Sequence, residues 1–63
     1  MTQKELLYME DAVGHEDNLI QITEFTIETL EDKSLKNFMK GQLKKHQAIK
    51  QKLMNVLEGI ANE

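Results

Sequence analysis

The sequence predicts an all-α fold, an antiparallel two-helix hairpin that dimerises into a four-helix bundle. Proline is absent and glycine occurs only three times in 63 residues, a composition that suits long helices. Apolar residues recur at three- and four-residue intervals in two long stretches. Only a few polar residues separate these stretches, and so short a connection makes two helices antiparallel neighbours.

The first helix is predicted over residues 3 to 31 of a single domain that spans residues 1 to 63. Thr2 and Glu5 have the spacing of a capping box, in which each side chain pairs with the backbone of the other. From Leu6 to Leu30 a stripe of core positions repeats every three or four residues. The pattern therefore predicts one continuous helix with one buried side.

The second helix is predicted over residues 33 to 60. The polar segment 31–34 interrupts the first pattern, and either Asp32 or Ser34 could cap the helix that follows. A second core stripe, which includes Phe38, Ile49 and Val56, then runs from Leu35 to Ile60. Residues whose numbers sum to about 65 are expected at the same level of the hairpin.

The charges of the two halves are opposite. Residues 1–32 contain nine acidic residues and one lysine, whereas residues 33–63 contain seven lysines and two acidic residues. Two such helices attract each other, although each exposed pair contributes only about 0.2–1 kcal/mol. The sequence also lacks arginine and has three aromatic residues, so we expect no binding to nucleic acid.

Composition narrows the other functional classes. Cysteine is absent, which excludes disulfides and thiolate metal sites. The sequence contains no apolar run of membrane-spanning length and no secretory signal pattern, so we expect a cytoplasmic protein without a membrane partner. No nucleophile with a neighbouring base and no phosphate-binding loop is recognisable. We therefore expect that the protein is not an enzyme.

A second copy of the chain is the expected partner. A chain of this length buries too little surface to be comfortably stable alone, and it has no disulfides to compensate. Both helices carry apolar arcs wider than a single facing helix covers. The predicted dimer interface consists of Leu19, Ile22, Leu43, Met54 and Leu57. Assembly beyond a dimer, or docking of the hairpin onto another protein as a small regulator, is an alternative.

Polar residues interrupt the middle of both core stripes. Glu16 and His46 occupy positions where apolar residues are expected, and they lie within about one helical turn of the same level. They could form a hydrogen-bonded pair that fixes register and partner orientation. In a two-fold dimer, two such pairs could instead bind a divalent metal such as zinc or iron, with His15 and Glu10 as outer ligands. A third alternative leaves both groups exposed to solvent.

Iron oxidation chemistry is not expected from this sequence. A carboxylate-bridged di-iron bundle needs Glu-x-x-His on two of its helices. The residue three positions before His46 is Leu43, and the residue three positions before His15 is Ala12. Metal binding would therefore be of a simpler kind, and no cofactor is expected otherwise.

Several short motifs resemble a known group of proteins. They are KELLYMEDAVGHE at residues 4–16, LED at 30–32, LKNFM at 35–39 and KHQ at 45–47. Together they make the chain similar to short ferritin-like proteins of spore-forming Firmicutes, commonly labelled spore coat or coat F-like proteins. The resemblance implies a ferritin-like bundle, a structural role with a coat or other protein as partner, and a spore-associated location. It carries over no catalytic residues.

Overall fold

The computed structural model of the protein describes residues 1–61, and these residues form two α-helices joined by a short turn. Helix α1 spans Gln3–Thr29 and helix α2 spans Lys33–Ala61. The two helices pack against each other, which confirms the predicted all-α hairpin. Helix α1 ends two residues before the predicted position 31, because the backbone becomes extended at Leu30, with φ −71° and ψ 140°.

The predicted capping box is present at the start of α1. The Thr2 hydroxyl accepts a hydrogen bond from the Glu5 amide at 3.1 Å, and the Thr2 amide donates to the Glu5 carboxylate at 2.9 Å. The Thr2 amide, followed by the Thr2 hydroxyl, favours the charged carboxylate and lowers the pKa of Glu5 below its ordinary value of 4.5. Two of the amides that a helix start leaves unpaired are thereby satisfied.

The turn between the helices is closed by hydrogen bonds at both of its ends. The Leu30 amide donates to the carbonyl of Thr26, which completes the last turn of α1. The Asp32 carboxylate accepts from the Leu35 amide at 2.9 Å, and the Lys36 amide donates to the Asp32 carbonyl. Asp32, rather than Ser34, is therefore the N-cap of α2.

The hairpin buries very little of its own apolar surface. Among residues 1–60, whose burial is described, no hydrophobic side chain is fully buried, and the one buried residue is Thr23 at 6% exposure. The radius of gyration is 14.6 Å, against roughly 11 Å for a compact domain of this length. The molecule is a slab of 47 × 15 × 11 Å, in which the two helices lie side by side.

The side of α2 that faces α1 is rotated from the predicted stripe. Phe38 and Val56 were predicted at core positions, but they are 62% and 48% exposed. Their sequence neighbours Met39 and Leu57 are half-buried instead. Because α2 has apolar residues at adjacent positions, its apolar arc is wider than α1 can cover. Periodicity alone therefore does not show which of these residues face α1.

None of the described helices combines the length and apolarity needed to cross a bilayer.

Replacement of Thr2 should remove the smaller of the two causes of the pKa shift at Glu5, the side-chain hydroxyl, and leave the backbone amide in place. In Thr2→Ala, we expect the pKa of Glu5 to move only part of the way back toward 4.5, because the hydroxyl is lost while the amide of residue 2 can still donate to the carboxylate. Thr2→Ser should keep the pKa fully lowered because both groups are retained. The stabilisation that the Glu5 carboxylate gives the helix start is complete above the ordinary pKa of Glu5. It is lost as pH falls through the lowered pKa. An NMR titration of the Glu5 side chain would measure both variants. An unchanged pKa in Thr2→Ala would contradict the assignment.

Candidate homodimer interface and central polar pair

The interface between the two helices is a narrow seam of half-buried side chains. On α1 it includes Met9, Val13, Ile20 and Ile27, and on α2 it includes residues such as Leu53. Every one of these side chains keeps part of its surface exposed, because only one helix covers it. The seam therefore holds the hairpin together without forming an enclosed core.

The centre of the seam is a direct contact between Glu16 and His46. The Glu16 carboxylate Oε2 lies 2.7 Å from His46 Nδ1, the distance of a charge-assisted hydrogen bond. An ionised carboxylate can only accept, so Nδ1 carries the proton and donates it. The two side chains are 14% and 24% exposed. Part of the pair therefore still reaches solvent in the single hairpin, and Nε2 has no hydrogen-bond partner among the described residues.

A second polar layer lies beside this pair. The Thr23 hydroxyl has a hydrogen-bond partner within α1, because it donates to the carbonyl of Leu19 at 2.6 Å. Thr26 and Thr29 make the same type of bond to the carbonyls four residues before them. Gln42, which lies at about the level of Thr23, is half-buried and has no side-chain hydrogen bond among the described residues.

One ion pair shows which sides of the two helices share a broad face of the slab. Lys50 Nζ lies 2.5 Å from Asp17 Oδ1. Asp17 follows Glu16 by one residue and Lys50 follows His46 by four, which places them about 100° and 40° around their helices from the seam. Because the two side chains touch, those sides of α1 and α2 form one face, which we call the charged face.

Most of the charged side chains that flank the seam lie on the charged face. Seven- and eleven-residue steps from Asp17 place further carboxylates on its side of α1, and lysines follow on the side of α2 that carries Lys50. Glu24 and Glu28 lie at about the levels of Lys40 and Lys36, so these charges attract each other within the hairpin, although among the described residues of this face only Asp17 and Lys50 are in contact. The residues are Glu10, Asp17, Glu24 and Glu28 on α1, and Lys36, Lys40 and Lys50 on α2.

The opposite broad face, which we call the apolar face, has a different composition. Leu19 lies three residues after Glu16 and Ile49 three residues after His46, so both lie about 60° from the seam on the side away from the ion pair. Steps of seven, eight and eleven residues along each helix bring further side chains to this face. They include Tyr8, Ala12, His15, Leu19 and Thr26 on α1, and Phe38, Ile49 and Val56 on α2.

The apolar face is exposed in the single hairpin. Tyr8 and Phe38 are 61% and 62% exposed, and Val56 is about half exposed. Ile22 lies at the margin of this face and is also exposed. Soluble proteins seldom leave a contiguous apolar surface of this kind uncovered, so this face is the candidate interface.

The five residues predicted for the dimer interface do not lie on one face. Leu19 and Ile22 belong to the apolar face and its margin, whereas Leu43 and Met54 lie on the side of α2 that carries Lys50. Leu57 lies close to the seam. One partner covers one broad face, so Leu43 and Met54 would not share an interface with Leu19. The sequence pattern places Phe38, Ile49 and Val56 in the seam, whereas helix geometry in the structure places them on the apolar face.

The residues proposed as metal ligands are only partly brought together. Glu16 and His46 are in contact, whereas Glu10 and His15 are exposed on different sides of α1. The residues described contain no group of three or more histidine, cysteine, aspartate or glutamate side chains that could hold a metal ion. A single hairpin therefore offers two ligands, and a complete site would require a second copy.

Comparison of the chain with protein-family models, with curated proteins and with solved structures finds no match. The similarity to coat F-like proteins, and the coat-associated role that it implies, therefore stay predictions.

Single and double replacement of Glu16 and His46 should distinguish the net contribution of the pair to the free energy of unfolding from the loss caused by removing one partner. His46→Leu alone leaves a largely buried carboxylate without its partner, and we expect the free energy of unfolding to fall by about 1–3 kcal/mol. The double variant Glu16→Leu/His46→Leu should be at least as stable as the native chain, because apolar side chains replace both polar groups. Urea unfolding at one fixed protein concentration would measure this. A double variant less stable than the single one would contradict it.

Proposed function

We propose that the chain is a structural or interaction protein that works as a homodimeric four-helix bundle, formed when the apolar faces of two hairpins pack together. The observation that carries the proposal is the absence of any fully buried hydrophobic side chain in the part of the chain whose burial is described. Burial of apolar surface is the main favourable contribution to folding, and a single hairpin makes little use of it. A second hairpin would convert half-buried seam residues into a core.

The dimensions of the hairpin support this proposal. Its broad faces measure 47 by 15 Å, an area close to the roughly 800 Å² per partner that a standard interface buries. The interface would include large side chains such as Phe38 and Tyr8, and aromatic residues are enriched in interfaces. Covering the apolar face would also shield the exposed parts of Glu16 and His46.

A second copy of the chain is the occupant that these features favour. The apolar face runs along both helices for most of their length, and two identical slabs match in length and width. The charged face, in contrast, carries an ion pair of its own between Asp17 and Lys50, and its other carboxylates and lysines would stay solvated. The resulting bundle would have one solvated charged face on each outer side. Docking of the hairpin onto a different protein is the alternative that the oligomeric state would reveal.

Metal binding at the dimer centre is a second candidate function, and the contact between Glu16 and His46 favours it. Imidazole and carboxylate are ligands that suit zinc and iron. Two copies would supply four such groups, enough for a tetrahedral site without cysteine. The pair is also satisfied without metal, because the 2.7 Å hydrogen bond pairs the carboxylate with the imidazole.

Two exposed phenylalanines provide a matched test of the dimer. Phe38 lies on the apolar face and is 62% exposed, whereas Phe25 is 69% exposed on the far side of α1. We expect Phe38→Glu to dissociate the dimer, because a carboxylate would be buried against apolar residues. Phe25→Glu should leave the dimer intact, since that position faces solvent in the proposed bundle. Light scattering of both variants at equal concentration would measure the masses.

In the same experiment, the mass of the native protein distinguishes the dimer from docking onto another protein. A native mass equal to that of one chain, 7.3 kDa, would contradict the dimer and favour docking onto another protein. Equal dissociation by both substitutions would contradict the assignment of the interface to the apolar face. Circular dichroism of each variant would show whether its helices are retained.

Metal binding is tested by stoichiometry with a defined ion. If the centre of the bundle is a zinc site, protein purified without an affinity tag should bind one Zn²⁺ per dimer in a calorimetric titration. His46→Leu should abolish that binding, whereas Glu10→Gln should not, since Glu10 is exposed on the charged face and lies apart from the pair. Less than about one-tenth equivalent in the native protein, with no change in melting temperature, would end the metal candidate.

A further inference from the structure

The second copy could pack on the apolar face in two antiparallel ways. If the two-fold axis runs parallel to the length of the slab, α1 of one copy lies against α2 of the other, and both turns are at the same end. If the axis is perpendicular to that length and parallel to the face, α1 lies against α1 and the turns are at opposite ends. We propose the same-end arrangement, an inference that rests on the proposed homodimer.

The net charges of the helices favour the same-end arrangement. Helix α1 contains seven acidic residues and one lysine, and α2 contains seven lysines and one acidic residue, giving formal charges of −6 and +6. In the same-end arrangement each helix has only oppositely charged neighbours. In the opposite-end arrangement each helix lies beside its own copy, and its charges repel those of the neighbour. Alternation of charge therefore selects the partner helix.

Two lysines of α2 also favour the same-end arrangement. Lys45 and Lys52 lie seven and fourteen residues after Phe38, so both are at the margin of the apolar face. In the opposite-end arrangement with full overlap, Lys45 would lie within about one helical turn of Lys52 and Lys45 of the second copy. In the same-end arrangement these lysines lie beside the acidic α1 instead.

The central pair points the same way. Glu16 is the midpoint of α1, which spans Gln3–Thr29. In the opposite-end arrangement it would lie against Glu16 of the second copy, and two adjacent carboxylates repel each other. In the same-end arrangement its neighbour is His46 of the second copy, so the four side chains alternate as acid, imidazole, acid, imidazole. Each His46 Nε2, which has no partner among the described residues of one hairpin, would then lie near a carboxylate of the other.

The distance between the two turns distinguishes the arrangements. Ser34 is exposed at the start of α2 and the chain has no cysteine, so a spin label can be attached at Ser34→Cys alone. In the same-end arrangement the labels lie on helices of one bundle end, and we expect a separation of roughly 10–30 Å with the label linkers included. In the opposite-end arrangement the separation is about 40 Å or more, because each hairpin is 47 Å long.

Pulsed electron paramagnetic resonance on the labelled full chain would measure this distance. A short distance supports the same-end arrangement. A distance near the length of the hairpin overturns it while leaving the homodimer in place. The absence of any dipolar coupling at concentrations well above those of the light-scattering experiment overturns the homodimer and the arrangement together.

Adjacent lysines on α2 provide an independent test. Lys45 is at the margin of the apolar face, whereas Lys44 lies two residues before His46 and therefore points about 160° away from the seam. We expect Lys45→Glu to raise the dissociation constant of the dimer about fivefold, since the charge beside the acidic α1 of the other copy is reversed twice, and Lys44→Glu to change it much less. Sedimentation equilibrium would measure both. An unchanged or tighter dimer in Lys45→Glu, or equal effects of the two substitutions, overturns the arrangement.

Discussion

The structure depends on one constraint: two helices can cover only a narrow seam of each other. The apolar arc of α2 includes neighbouring residues such as Phe38 and Met39, and only one of each such pair can face α1. The half-buried seam, the exposed apolar face and the elongated shape all follow from this limit. A third and a fourth helix are what such a pattern requires to form an enclosed core.

The polar residues determine how the remaining surface can be covered. Asp17 and Lys50 identify the broad face that carries most of the ionic groups, and the opposite face is the one that we propose a second copy covers. Glu16 and His46 lie at the centre of the seam, where a mispaired register would leave a largely buried carboxylate without a donor. A pair of this kind adds little to stability and more to the choice of geometry.

The local features of the fold were predictable because they depend on neighbours in the sequence. The capping box of Thr2 and Glu5, the position of the turn and the level shared by Glu16 and His46 all follow from spacing. Spacing did not predict the rotation of α2. It also did not predict that Leu19 and Leu43 lie on different faces. They depend on which side of one helix meets which side of the other, and a wide apolar arc permits several rotations. Asp17 and Lys50 carried the missing information, but only as a contact across the hairpin.

The most direct test of the account is the mass of the native chain in solution as a function of concentration. Sedimentation equilibrium over the micromolar range should give twice the chain mass of 7.3 kDa, and the melting temperature should rise with protein concentration because folding is coupled to association. A helical, cooperatively melting species of one chain mass, with a melting temperature independent of concentration, would contradict the account.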